Sequence, residues 1–539
     1  MKEGFRQTMA WLHTWLGLVV GWILFYVYLT GTLGYLDKEI DYWMAPDRPF
    51  FSEIPAPREQ LALAQTRLNA VAPDALTWNI QLIGGREAPW LDIRWTEKPK
   101  ADATRAVTVR ESLHPQTGEP LTNTVRATGG GQLLYRMHYS LAYMPLDTAI
   151  LIVMTCTMFM FTGMITGIIA HKKIFKDFFT FRPGKGQRSW LDAHNLLSVT
   201  SLPFHLIVTY SGLLFFVYTF LPDVQELVFR PKPGLSVEQQ VYQGPYGVAG
   251  SNIAIASGTA APLADLSLTI NEADAIWGLN KVTSVEVRNP GDANARVILK
   301  PRPGDTVVVP DYGLLFDGVS GQMLESFRDP YPFGPVDQVL KGVHRGVFAG
   351  PFLRFLYLFM GVAGTAMIAA GLMLWSNKRK SKMLARNEQP HFGIQLVDTL
   401  NLGTIVGLPI AIAAYFWANR LLPVDMETRA AWEVHAMYLT LGAVFLYPVS
   451  RQLEKAWVEL AWVAAAVIGL LPLVNALTTN RHLGVSITQG DWVMAGFDLA
   501  ALLIGIIFAL CALRLQRRGV DIVQSENSTQ HNVAEIGAT

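Results

Sequence analysis

The residues in this chain best suited to chemistry are histidines placed at matched positions. His13 is followed 18 residues later by Gly31, in Leu-Thr-Gly, and His194 is followed 18 residues later by Gly212, in Tyr-Ser-Gly. His138 lies 7 residues before Pro145 and His344 lies 7 before Pro351, in LLYRMHYSLAYMP and VLKGVHRGVFAGP. His194 and His205 are 11 residues apart. On a helix that spacing is a rise of about 16 Å and a rotation within about 20° of whole turns, so both imidazoles share one face. Two b-type haems stacked across a membrane need ligands on one face at such a spacing, and imidazole is a natural axial ligand for haem iron. A polar side chain in a bilayer is costly and is usually functional or paired. The competing reading is a hydrogen-bonded interfacial anchor, which suits His171, His391, His435 and His482. It suits the repeated His13, His138, His194 and His344 less well. His205 stands between the two, because Leu24 takes its place in the first repeat; a ligand, a relay or a hydrogen-bonding role is open to it.

Other chemistries lack their signatures. Cys156 and Cys511 are the two cysteines and both sit in apolar runs, which excludes zinc clusters and disulfide frameworks. With no Cys-x-x-Cys-His, any haem is non-covalent. Gly84-Gly85 and Gly129-Gly130-Gly131 are not a strand–Gly-x-Gly-x-x-Gly–helix fingerprint for a nicotinamide or flavin. They read as a hairpin turn and a flexible approach to the membrane. No catalytic triad or zinc-protease His-Glu-x-x-His is present.

The elements that must position these histidines are mostly membranous. The 539 residues are 51% hydrophobic and 16% charged, against about a quarter charged in a soluble protein. A mean hydropathy of +0.26 is nevertheless low for helices alone, so two materials are mixed. This balance excludes a disordered chain, a basic nucleic-acid binder and a typical cytosolic enzyme. Eight stretches meet the need for about 20 apolar residues: roughly 11–36, 146–170, 191–221, 350–375, 394–418, 432–450, 456–475 and 492–513. The first is too long for a signal h-region and reads as a retained anchor. Basic loops follow the second span (Lys172, Lys173, Lys176, Arg182, Lys185, Arg188), the fourth (Lys378, Arg379, Lys380, Lys382, Arg386) and the eighth (Arg514, Arg517, Arg518). They fall on one side if both termini are cytoplasmic. Two long segments then face the other side, the periplasm in a bacterium.

The first four spans are therefore one unit, helix–outside domain–helix, used twice in one orientation, as parallel repeats are. Each outside segment reads as a small α+β module. The first has a helical REQLALAQTRLNAV and strands in LTWNIQLI, WLDIRWTE and RAVTVRESL. The second has a helical INEADAIWGL and strands in TSVEVRN, ARVILKP and DTVVVPDYGLLF. Gly118 and Gly321 mark a turn in each. The expected organisation is a first helix over 1–37, a module over 38–131, helices two and three over 132–221, a module over 222–336 and a fourth helix over 337–377. An additional four-helix region follows over 391–518, with a disordered tail over 519–539; the Gly-, Pro- and Ser-rich 225–260 reads as loop. The fold class is a polytopic α-helical membrane protein of about eight spans with two periplasmic α+β modules.

The motifs W-L-His13-T-W-L-Gly17 with Thr30-Gly31, W-L-Asp192-A-His194 with Ser211-Gly212, and the pre-span His138 and His344 resemble the PepSY-associated transmembrane helix family over about residues 5–380. The outside modules resemble PepSY domains. The motif SLPFHLIVTYSG around His205 looks like that of a subgroup, bacterial inner-membrane siderophore-iron reductases. The resemblance implies two non-covalent b haems, ligated from among His13, His138, His194, His205 and His344. Symmetry suggests an inner haem between His13 and His194 and an outer one near His138 and His344, and by its depth His205 could displace one of these ligands. It also implies electron flow from a cytoplasmic or quinol donor to a ferric siderophore in the periplasm, where reduction to iron(II) weakens hard oxygen ligation and frees the metal. Arg136 and Arg345 flank two of the histidines and could pair haem propionates or an anionic siderophore. Lys172, Lys173 and Arg188 could attract an acidic or anionic donor, although ordinary positive-inside topology is the favoured explanation. Residues 391–518 depart from a four-helix reductase; His435 and His482 there read as structural, with a quinone role open. Partners are membrane lipid, siderophore and electron donor, with no nucleic acid. Two competing readings are a non-enzymatic PepSY-type periplasmic binding or regulatory membrane protein, with structural histidines, and a transporter, for which broken, charge-lined helices are not evident.

Overall fold

A computed structural model describes residues 4–98, 107–121, 125–171, 176, 178, 180–216, 256–302, 304, 307, 312–328 and 334–536. Lys172, Lys173, most of the 225–260 loop and the last three residues of the tail lie outside them. The chain forms two compact units, one of Met1–Pro49, Thr124–Thr209 and Phe355–Thr539 and one of Phe50–Asn123 and Tyr210–Arg354.

The first unit is helical. Its long apolar helices are α1 (Phe5–Gly34), α5 (Leu146–Ala170), α6 (Gln187–Phe215) and α9 (Pro351–Leu384), the last two continuing into the other unit's residues. Two short helices, α2 (Asp37–Met44) and α4 (Gly130–Met137), pack on each other beyond α1. The added region contributes α10 (Phe392–Leu402), a π-helical turn Gly403–Gly407, α11 (Leu408–Leu421), α12 (Arg429–Leu446), α13 (Leu453–Gly469), α14 (Leu471–Thr478), α15 (Leu483–Gln489) and α16 (Trp492–Ile536). Among the described residues, seven helices are long and apolar enough to cross a membrane: Phe5–Gly34, Leu146–Ala170, Gln187–Phe215, Pro351–Leu384, Phe392–Leu421, Leu453–Thr478 and Trp492–Arg517. The sequence expectation was eight. The expected 432–450 span corresponds to α12, which is helical but begins with the fully buried Arg429 and Glu433 and so falls short in apolarity. The last helix, α16, extends from Trp492 to Ile536 and so runs into the segment 519–539. Gly129–Gly131 do not form a flexible approach. The Gly131 N–H donates to Asp41 Oδ1 at 2.8 Å, and a Cβ on Gly131 would stand 2.0 Å from the Asp37 carbonyl oxygen.

The second unit contains the strands. The two outside segments join into one seven-stranded antiparallel sheet, in the order β3-β2-β1-β4-β5-β6-β7. Strands β1 (Thr77–Gln81), β2 (Leu91–Thr96) and β3 (Thr108–Leu113) come from the first segment; β4 (Val282–Arg288), β5 (Arg296–Pro301), β6 (Tyr312–Asp317) and β7 (Met323–Arg328) come from the second. The seam is β1 on β4, with Ile80 opposite Val285 and Thr77 opposite Arg288. Alternation sends Trp78 and Ile80 to one face, where helices α3 (Pro57–Val71) and α7 (Thr269–Trp277) close a single core through Leu61, Leu68, Ile270 and Ala273. The repeat extends to the turns. The Gly118 N–H reaches the His114 carbonyl and the Gly321 N–H reaches the Asp317 carbonyl, both at 2.9 Å, with φ of +72° and +73°. After the second turn comes β7, which the sequence reading omits; after the first, Pro120 limits pairing to an isolated bridge with Leu113.

Candidate functional site

In the helical unit three of the histidines, His13, His138 and His194, obey one packing rule. His13 on α1 points its Nδ1 at the Gly163 carbonyl of α5, 2.8 Å away. A Cβ added to Gly167 would stand 3.0 Å from His13 Cε1. His194 on α6 repeats this against α9, with Nδ1 2.9 Å from the Met367 carbonyl and a Cβ on Gly371 falling 3.2 Å from Cε1. His138, just past α4, places Nδ1 2.8 Å from the Val27 carbonyl of α1, and a Cβ on Gly31 would lie 2.5 Å from that nitrogen. In each case carbonyl and glycine are four residues apart, one helical turn, so the missing side chain opens the carbonyl to the imidazole. A carbonyl only accepts, so Nδ1 carries the proton and Nε2 keeps its lone pair for an electrophile. Burial lowers the pKa of His138, and the Val27 hydrogen bond offsets this only partly, so the ring is neutral at pH 7.

His205 lies deep in α6 and is 2% exposed. A Cβ on Gly364 of α9 would stand 2.4 Å from its Nε2. Tyr28 and Phe204 box the ring at centroid distances of 5.1 and 5.3 Å. Among the described residues neither ring nitrogen closes a hydrogen bond; the Met360 carbonyl, one turn before Gly364, neighbours the ring. Burying a polar group in this way costs about 2–7 kcal/mol, and a ligand on one of the two nitrogens would relieve part of it.

His344 belongs to the other unit, at the end of α8 (Gly334–Arg345). Its Nδ1 is 3.1 Å from Ser211 Oγ, and a Cβ on Gly212 would meet its Cε1 at 3.0 Å. Thus Gly31 and Gly212, which the sequence offers only as repeat markers, seat the pre-span histidines. The structure brings His13 and His194 together, and it describes His138 and His344 in separate units. Arg136 and Arg345 are exposed, in the last turns of α4 and α8. Of the histidines read as anchors, His171 contacts Asn195 at 3.1 Å, His391 and His482 start helices, and His435 meets the Tyr143 hydroxyl at 2.5 Å.

His13 and His194 have ring centroids 6.1 Å apart and planes inclined at 63°. Two imidazoles sharing one metal atom, with bonds of about 2 Å and about 1 Å from nitrogen to ring centre, would stand about 6 Å apart. The donor set therefore fits a bis-imidazole iron porphyrin. Among the described residues no three His, Cys, Asp or Glu side chains converge, so a zinc-type cage has no counterpart there.

Sequence reasoning missed the seats Gly167, Gly364 and Gly371. It also missed a buried polar network around Arg420, Arg429, Glu433, Asn475 and Asp498. Charges inside apolar runs were the available signal for the network.

None of the curated proteins compared matches the chain. The profile of the PepSY-associated TM region matches residues 10–378. That span takes in all five candidate histidines and their glycine seats and stops before the added helices. The chain belongs to the PepSY-associated TM region family.

Proposed function

We propose that this protein carries electrons across a bacterial inner membrane through two non-covalent b haems and reduces a ferric siderophore outside, releasing iron(II). The observation that carries the reading is the His13–His194 pair, 6.1 Å apart with both Nδ1 atoms turned to backbone carbonyls. His13 and His194 would hold an inner haem. His138, His205 and His344 are the candidate ligands of a second. Haem bound there supplies reversible one-electron chemistry.

The chain's own residues fix the rest. The Gly163 and Met367 carbonyls hold His13 and His194 in the tautomer with a free Nε2. The nitrogens of His205, unpartnered among the described residues, support a ligand at mid-helix. Arg136 and Arg345, exposed beside His138 and His344, suit carboxylates of propionates or of an anionic siderophore. The siderophore itself comes from the family subgroup that the His205 motif resembles. The basic loops support cytoplasmic termini, provided that α12 also crosses.

Protein purified from haem-replete cells should show a reducible bis-imidazole spectrum with about two haems per chain, and His194→Ala should lose one. Mixing the reduced protein with a ferric hydroxamate should reoxidise it and yield iron(II). A colourless preparation would overturn the reading. Full function in the His194→Ala and His344→Ala variants would favour a binding or regulatory role instead.

A further inference from the structure

We infer that the added helices and α1 form a binding site for a membrane quinol, which serves as the electron donor. A partly open cavity of about 230 Å³ is lined by Trp22, Ile23 and Tyr26 of α1, Leu141, Thr404, Leu408, Leu441 and Phe445. Its walls are apolar, as a ligand drawn from the bilayer requires. Two of the lining residues, Tyr26 and Thr404, carry hydroxyls. The Tyr26 hydroxyl pairs with that of Tyr438 at 2.8 Å. Thr404 lies in the π-helical turn Gly403–Gly407; such turns are rare and recur at functional sites.

Trp22 and Tyr26 lie 9 and 13 residues after His13, which turns them to the side of α1 away from His13. The cavity is thus separated from the ligand-bearing side by one helix, a diameter of about 10 Å. From the Tyr26–Tyr438 pair the aromatic residues lead on to the exposed Tyr143. Tyr438 packs on Tyr143 at 5.3 Å between ring centroids, and the exposed Tyr143 hydroxyl meets His435 Nδ1. Oxidation breaks the two quinol O–H bonds and gives quinone, two protons and two electrons. The protons pass toward Tyr143 and His435. The electrons reduce two ferric centres by one each, a step that rests on the function proposed above.

The test is equilibrium dialysis of the full chain with decylubiquinone. Wild-type protein should bind about one molecule saturably. Leu441→Trp should abolish binding, and Tyr26→Phe should weaken it about ten-fold by loss of one hydrogen bond. Both variants should melt as wild type does. Equal binding by wild type and Leu441→Trp overturns the site, as does finding only phospholipid in the cavity by native mass spectrometry. A wild-type protein that binds decylubiquinone but shows no haem spectrum keeps the site and sinks the haem reading. A haem-loaded protein that fails to bind it does the reverse.

Discussion

Gly364 is the seat of His205: any side chain there would occupy the imidazole, since a Cβ would stand 2.4 Å from Nε2. The internal duplication supplies a control. Leu24 stands 11 residues after His13, where His205 stands after His194, and Met160 stands 7 before Gly167, where Gly364 stands before Gly371. The repeat that lacks the histidine also lacks its glycine. The coupling follows from the space that the imidazole takes against α9.

The seats give a contrast between neighbouring glycines. Gly167→Ala should disturb His13 and Gly364→Ala should disturb His205, each at about 1–3 kcal/mol of overpacking. Gly163→Ala should be silent, because a Cβ there meets nothing within 4 Å and the carbonyl that His13 uses remains. Thermal melts and visible spectra of the three variants read this. An equal effect at Gly163 and Gly167 would show that the seats are ordinary helix contacts.

Continuity of the sheet is testable at its seam. Val285 lies in β4 opposite Ile80 of β1. Proline removes a ladder hydrogen bond and is tolerated only at sheet edges. Val285→Pro should therefore strip hydrogen-exchange protection from β1 and β2 as well as from β4 and β5. Unchanged protection in β1 and β2 would mean that the two segments fold as independent modules.

Much of this was legible in the residues. Periodicity located the apolar helices and six strands, because burial on one face leaves a regular pattern. The doubled histidines exposed the repeat and the pair His13–His194. The joining of β1 to β4 was not legible, since strand order depends on which edges meet and local alternation is blind to it. Nor were the seats of Gly167 and Gly371, since a glycine in an apolar helix reads the same whether it faces lipid or a ring. The buried Arg429 and Glu433 were overlooked because their neighbours gave the segment the look of an ordinary span.

Acid should loosen the sheet unit at Asp292. Its carboxylate accepts the Asn294, Ser257 and Gly258 N–H groups, led by Asn294, and these hold its pKa down to about 2. The folded pKa lies below the unfolded value of about 3.9, so its stabilisation is complete above that value and is lost as pH falls toward 2. Exchange of the Ala261 and Ala293 amides, bonded to Gly291 and Thr259, should quicken between about pH 4 and pH 2. Asp292→Asn should flatten that dependence; a variant that keeps it in full would place the acid sensitivity elsewhere.

The added helices hold the approach to His138. Arg429 and Glu433 are both fully buried and paired at 2.6 Å. Arg429 also donates to the Ala127 carbonyl at 2.7 Å, while Glu433 accepts from the Thr128 hydroxyl at 2.7 Å and the Gly129 N–H at 3.2 Å. Residues 127–129 lead directly into α4 and His138. Breaking a buried pair leaves an uncompensated charge and costs about 3–5 kcal/mol, whereas replacing both partners by apolar groups is often neutral. Arg429→Met should destabilise on that scale, and Arg429→Met with Glu433→Leu should recover much of it in thermal melts. The double variant still lacks the acceptor for Thr128 and Gly129, so hydrogen exchange in α4 should stay faster than in wild type even where global stability returns. Recovery of both together would make the pair a stability element alone, with no part in positioning His138.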